Sequence, residues 1–236
     1  MFFGFFWGDW TILILIPAMI FSFWAQIRVN STFKKYQAVY NRRGITAAEA
    51  ARRVLDAHGL RHIRIEQVAG HLTDHYDPRA GVIRLSASVY NSTSAAAVGV
   101  ATHEAGHACQ HAVGYAPIKL RSAIIPITRI GSMLAMPIFI LGILFAAAPM
   151  GESLMLLGIL LFSTAVLFQL VTLPTEFNAS SRAMTAMERE GILEGDELVA
   201  ARKVLSAAAM TYVAALASSL ASLLRLLLIF NGSRRR

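Results

Sequence analysis

Three apolar runs of bilayer length constrain the fold of this chain more than any other feature. Residues 10–27 and 153–173 carry no charge, and residues 124–148 carry only Arg129. About twenty residues at 1.5 Å each cross the hydrocarbon of a bilayer. A segment in lipid must satisfy its own backbone polar groups, so each run predicts a spanning helix. Trp7, Trp10 and Trp24 lie near the ends of the first run, as interfacial aromatics do. That run is read as a retained span, because no basic stretch precedes it and no small-residue cleavage site follows it. The second and third runs, joined by Pro149-Met-Gly-Glu152, predict a transmembrane hairpin, with Pro126 and Pro137 bending the second span.

Orientation follows from the basic residues. Thirteen Lys and Arg lie between Arg28 and Arg121 and none in the hairpin turn, which predicts a cytoplasmic loop and an outside amino terminus. Arg182, Arg189, Arg202 and Lys203 then mark cytoplasm after the third span. The last run, residues 204–230, is long enough to cross. However, Arg225 interrupts it, and crossing would carry Arg234, Arg235 and Arg236 outward. The expectation is a helix packed on the soluble region or lying along the membrane surface. The net charge of +8 suits anionic inner-leaflet lipid, and no nucleic-acid-binding module is recognisable among the basic residues. Cys109, the single cysteine, excludes an internal disulfide and is read as a small buried residue rather than a metal ligand.

Between the first two spans lies a small soluble region. Residues 46–58 have helical periodicity opened by Thr46 with Glu49 three residues on, a capping-box pattern, and Gly59 closes them. Two strands are expected at residues 62–68 and 81–85, on either side of the Asp77-Pro78 turn. The second is a candidate edge for an extended substrate, or else part of a hairpin that supports the next helix. One long helix is expected over residues 86–110, capped by Ser86 or Ser88.

That helix contains His103-Glu-Ala-Gly-His107. Two histidines four apart lie about 6 Å along the axis on nearly one face, so both rings can reach one zinc ion. Glu104 is placed to hold and deprotonate an attacking water. The preceding stretch is small and apolar, so three polar side chains follow a segment that reads as buried, where they need partners. Gly106 weakens the helix unless its backbone must lie close to something else. His111 is about 12 Å up the helix from His103 and is read as a supporting or interfacial residue. A catalytic zinc needs a third protein donor. Glu176 follows Pro174 and opens a helix-like stretch capped by Thr175. An acidic first-turn residue also favours the helix dipole, so spacing leaves both roles open.

The strings Leu72-Thr-Asp-His-Tyr-Asp-Pro-Arg79, Arg84-Leu-Ser-Ala-Ser-Val-Tyr90, Gly99-Val-Ala-Thr-His-Glu-Ala-Gly-His-Ala-Cys-Gln110, Glu176-Phe-Asn-Ala-Ser-Ser-Arg182 and Ala209-Met-Thr-Tyr-Val-Ala214 occur in that order. Together they resemble the YugP-like membrane zinc metallopeptidases over nearly the whole chain. The resemblance implies one catalytic Zn2+ held by His103, His107 and Glu176, as in gluzincins. Related membrane gluzincins carry an aspartate one turn after the third ligand to orient a zinc histidine. Ser180 stands there in this chain, which turns attention to Asn178 or another carboxylate.

The expected fold is a mainly α integral membrane protein with a small α+β zincin-like region before and around the motif helix. Its segments are residues 1–28 (first span), 29–122 (cytoplasmic catalytic region), 123–174 (hairpin) and 175–236 (helices with the third ligand), acting as one unit. The expected function is a zinc-dependent endopeptidase in the inner membrane that acts on peptides or membrane proteins, with Glu104 as general base and acid. Arg182, Tyr212 and His75 are candidates to hold the oxyanion by their chemistry. Two alternatives are a non-catalytic zinc-binding adaptor and a site-two-type intramembrane protease.

Overall fold

The computed structural model describes residues 10–70 and 73–234; Trp7, Leu72, Arg235 and Arg236 lie outside them. A 3-10 turn, Trp10–Ile14, leads into α1 (Leu15–Tyr36). It is followed by α2 (Ala47–Ala57), β1 (Arg64–Val68), β2 (His75–Asp77), β3 (Val82–Ser86), α3 (Ala87–Tyr90) and α4 (Ala95–Ala112). Three long helices complete the chain, α5 (Ala116–Leu144), α6 (Pro149–Arg189) and α7 (Asp196–Arg234). Two compact units result. One takes the described part of Met1–Trp24 with Leu120–Thr172 and the chain from Tyr212 onward. The other takes Ala25–Lys119 and Leu173–Thr211.

The first unit is built from apolar helices. Among the described residues, four are long and apolar enough to cross a membrane: Trp10–Tyr36, Ala116–Leu144, Pro149–Arg189 and Asp196–Ser233. They leave large apolar side chains uncovered, among them Met19, Phe23, Met133, Leu160 and Leu167, a surface suited to lipid rather than water. Hydrophobicity cannot drive helices together in lipid, so packing relies on small residues and close contact. A Cβ on Gly142 would lie 2.5 Å from Met155 N, and one on Gly158 would lie 2.7 Å from Phe139 Cβ. Phe139, Met155, Ile159, Leu226 and Phe230 form the cluster at this contact.

Two expectations are corrected in these helices. The hairpin turn falls at residues 145–148, and Pro149 opens α6 instead of lying in the turn. That suits a residue whose missing N–H is unneeded in a first helical turn. No new helix opens at Thr175, because α6 runs through Pro174 without a break to Arg189. Residues 204–230 belong to a continuous helix that is, by length and composition, a fourth candidate span, and Leu226 and Phe230 join the cluster of the second and third. One arginine in a long uncharged run does not remove its capacity to cross. The expected packing on the soluble region also occurs, through the first turns of α7: Ala200, Ala201, Val204 and Leu205 are buried in the core of the second unit.

The second unit surrounds α4. Thr46 caps α2 with the expected reciprocal bonds: Glu49 N–H donates to Thr46 Oγ1 (3.2 Å), and Thr46 N–H donates to Glu49 Oε2 (2.8 Å). The sheet has the order β1-β3-β2, with β1 parallel to β3 and β2 antiparallel to it. The two expected strands therefore do not form a hairpin with each other. The hairpin is β2–β3, turned where Asp77 Oδ1 accepts from the Arg79 and Ala80 N–H groups. Three residues with little alternation, His75–Asp77, were too short to show in the sequence as a strand. β3, the expected substrate edge, is the central strand, and β1 and β2 are the edge strands.

The expected long helix over residues 86–110 is broken after Tyr90, and Ser94 begins a new one by accepting from Ala97 N–H (3.2 Å). The Ser86 side chain is held by Asp74 instead of capping. Ala47, Val54, Leu55, Ile83, Leu85, Ala97, Ala101, Cys109, Met187 and Leu193 pack in one core around α4. Cys109 is buried there, and burial pushes its thiol pKa up. Because Thr46 satisfies an otherwise open helix-end donor, Thr46→Ala should lower stability by about 1 kcal/mol. A fall of a few degrees in the thermal unfolding midpoint of detergent-purified protein would show it.

Candidate metal centre

α4 is enclosed nearly all round. Fourteen of its eighteen residues are buried, most of them Ala or Gly. A helix of this kind can touch its neighbours backbone to backbone, and at two glycines it does. A Cβ on Gly99 would lie 3.3 Å from Ala201 Cβ of α7, and one on Gly106 would lie 2.6 Å from the Ala179 carbonyl of α6. The second approach builds the site. Glu176 lies three residues before Ala179, one turn along α6, and so faces the two histidines of α4.

His103 Nε2 is 3.3 Å and His107 Nε2 3.4 Å from Glu176 Oε2, and the two rings stand nearly perpendicular with centroids 4.7 Å apart. Donors bound tetrahedrally at about 2.0–2.2 Å from one zinc would stand about 3.3 Å apart. The two separations from Glu176 match that value. Among the described residues this is the group of His, Cys, Asp or Glu side chains able to hold a metal ion, with all three ligand atoms within 4.8 Å of one another. Three donors leave a fourth position open. Glu176 is 2% exposed and His107 8%, so little water competes for these atoms.

Electrostatics favours a cation here. Burial opposes the His107 imidazolium, but the hydrogen bond to Glu176 and the charges of Glu104 and Glu176 outweigh it, so its pKa lies above the ordinary value. The same two carboxylates would stabilise a divalent ion in a site with little access to solvent.

Each ring nitrogen turned away from Glu176 also has a partner. Ser180 Oγ lies 3.1 Å from His103 Nδ1, and Gln110 Oε1 lies 3.0 Å from His107 Nδ1. Ser180 thus holds a histidine from the position where related proteins carry aspartate. Asn178 reaches no histidine; its Oδ1 accepts from Gln110 Nε2 (2.9 Å) and from Arg182 Nε (2.8 Å). Gln110 is the residue that sequence reasoning missed. Its signal was present: a long amide three residues after His107, in a helix of small buried side chains, shares a face with that histidine.

Glu104 is 9% exposed, and its Oε2 accepts the Tyr76 N–H at 2.9 Å, so β2 holds the motif carboxylate. The Tyr76 ring meets His111 edge-on at 5.6 Å, which ties β2 to α4 and gives His111 its supporting place. His75 is exposed on β2, with Nδ1 2.8 Å from the Thr73 carbonyl oxygen. It is carried by the strand that touches Glu104. Arg182 is committed through Nε to Asn178, its guanidinium lies 6.0 Å over the Tyr115 ring, and it lines a cleft of about 290 Å³ with His58, Thr185 and Arg189. Tyr212 lies on α7 in the other unit.

Span-length helices together with a preassembled His, His, Glu donor set define a membrane protein with a candidate metal centre. The chain belongs to the family described as "Putative neutral zinc metallopeptidase", whose model matches residues 11–231. It is similar to the "Putative membrane protease YugP" of Bacillus subtilis (strain 168), with 48% identity over 223 residues, which is 94% of this chain and 97% of that protein. No solved structure matches the chain. The family resemblance carried by the separated motifs is thereby borne out.

Gly106→Ala separates close approach from helix propensity. In a free helix the change is favourable by about 1 kcal/mol. Here the methyl would meet the Ala179 carbonyl, and overpacking of this kind costs about 1–3 kcal/mol. The variant should unfold at a lower temperature and retain less zinc after purification than the wild type.

Proposed function

We propose that the protein is a membrane-embedded zinc-dependent endopeptidase, with its site at the cytoplasmic face of the membrane. The observation that carries this reading is the convergence of His103 Nε2, His107 Nε2 and Glu176 Oε2, with Glu104 on the same helix held beside them. His103, His107 and Glu176 are the residues that would hold the ion. Zinc, when bound, supplies a Lewis acid that lowers the pKa of water towards about 7 and polarises a carbonyl.

Glu104 takes a proton from the attacking water and returns it to the departing amine, so one carboxylate serves as base and then as acid. The Tyr76 amide steadies that carboxylate before substrate arrives. Near-exclusion of water around Glu176 and His107 strengthens each electrostatic contact.

The membrane-proximal substrate class is supported by α6 itself. Leu167 and Leu170 are exposed apolar residues about one turn apart on this helix, Phe177 is exposed about two turns further on, and it adjoins Glu176. The turn that carries the third donor therefore itself exposes a large apolar side chain. Peptide segments of membrane proteins near the bilayer, and the bilayer itself, are the proposed partners. The thirteen basic residues between Arg28 and Arg121 support a cytoplasmic site and an outside amino terminus. They outweigh the three terminal arginines that a fourth crossing would carry outward.

Two other readings are less well supported. A site-two-type protease carries its motif in a spanning helix, whereas α4 is not among the helices long and apolar enough to cross a membrane. A structural zinc site is closed by four ligands, and here three donors converge. The test is zinc content, with cleavage of casein and a membrane-peptide mixture by detergent-purified protein. Glu104→Gln should keep near-stoichiometric zinc and lose about 100- to 10,000-fold in rate. Glu176→Ala should bind zinc at least about 100-fold more weakly. Zinc held equally by all three proteins would remove Glu176 from the site, and a wild type without zinc would overturn the proposal.

A further inference from the structure

Gln110 is wholly buried and every polar atom of its amide is engaged. Its orientation can be read without seeing hydrogens. The Thr175 backbone carbonyl, 2.8 Å from Gln110 Nε2, can only accept, so the nitrogen must face it. Asn178 supplies a second constraint. Arg182 Nε can only donate, so the Asn178 atom that meets it is an oxygen, and that same oxygen accepts from Gln110 Nε2. The remaining Gln110 atom, Oε1, therefore presents lone pairs to His107 Nδ1 at 3.0 Å.

An acceptor at Nδ1 requires a proton there, and in a neutral imidazole the other nitrogen is then bare. His107 Nε2, 3.4 Å from Glu176 Oε2, is that other nitrogen. The two histidines differ in this respect. Ser180 Oγ can donate or accept, so it leaves the His103 tautomer open. Gln110, pinned by two acceptors, leaves His107 no choice.

We propose that Gln110 is the positioning residue that holds His107 in its Nδ1–H form with Nε2 turned to the metal, and that Asn178 and Arg182 lock Gln110 in that orientation. The proposal rests on the zinc reading of the site but adds residues outside the motif and the donor set. It also joins the two helices chemically. The amide that sets a histidine of α4 is itself fixed by Thr175 and Asn178 of α6, on either side of Glu176. Displacing one helix along the other would misorient His107 as well as withdraw Glu176.

The test uses full-length, detergent-purified chain and reads zinc affinity by competition with a chromophoric chelator, so no cleavage is needed. Gln110→Met keeps the length and removes both acceptor and donors. It should weaken zinc about 10- to 100-fold, the usual loss when a metal histidine loses its supporting partner. Gln110→Glu keeps an acceptor for His107 Nδ1 but turns its second oxygen towards the Thr175 and Asn178 acceptors, so it should lose thermal stability yet bind zinc more tightly than Gln110→Met. Arg182→Met frees Asn178 to turn and should weaken zinc to a smaller extent. Thermal unfolding of the zinc-free proteins is the control for packing.

Wild-type affinity in Gln110→Met would overturn the proposal. So would equal losses in the Met and Glu variants that follow equal losses of thermal stability, since packing would then explain them. A wild type that binds no zinc would instead overturn the function proposed above, which distinguishes the two failures.

Discussion

Glu176 meets His103 and His107 because α4 and α6 approach until the Ala179 carbonyl leaves no room for a side chain at Gly106. Most of the second unit serves that approach. Alanines on both sides of the motif keep α4 thin, Gly99 repeats the arrangement against Ala201, and α2 and the sheet close the remaining faces. Close-packed interiors do not yield to added volume, so the spacing of the two helices is set by backbone rather than by adjustable side chains. Donor atoms on rigid helices are held more sharply than donors on loops.

Burial makes the polar groups depend on one another. Glu104, His107, Gln110 and Glu176 are all buried, and each has a partner. An unpaired group at any of these positions would cost about 1–3 kcal/mol, so the network is specified as strongly as the apolar core around it. Its members come from three elements: α4 brings the histidines, Glu104 and Gln110, α6 brings Glu176, Asn178 and Ser180, and β2 brings the Tyr76 amide.

Features with a local physical code were legible in the sequence. The capping box at Thr46 and Glu49 needs residues only three apart, and the first three candidate spans need only length and at most one charge. The pairing of His103 with His107 follows from helical spacing. Features set by partners were harder to read. β2 has three residues and exists because β3 is beside it; Pro174 looked like a boundary, yet α6 continues through it. The last helix was ambiguous because its composition answers to both soluble core and membrane, and its side chains join both packing clusters, Val204 and Leu205 in one and Leu226 and Phe230 in the other.

The sequence by itself determined that this is a membrane protein with a two-histidine, one-glutamate motif on one helix, because hydropathy and a four-residue repeat are local properties of a chain. Separated motifs added the family. Only the tertiary structure decided that Glu176 completes the donor set, that Ser180 and Gln110 hold the histidines, and that Tyr76 holds Glu104. Those contacts span 28 to 77 residues of chain, apart from the local step from His107 to Gln110. They exist only where two helices lie in backbone contact, which no local pattern encodes.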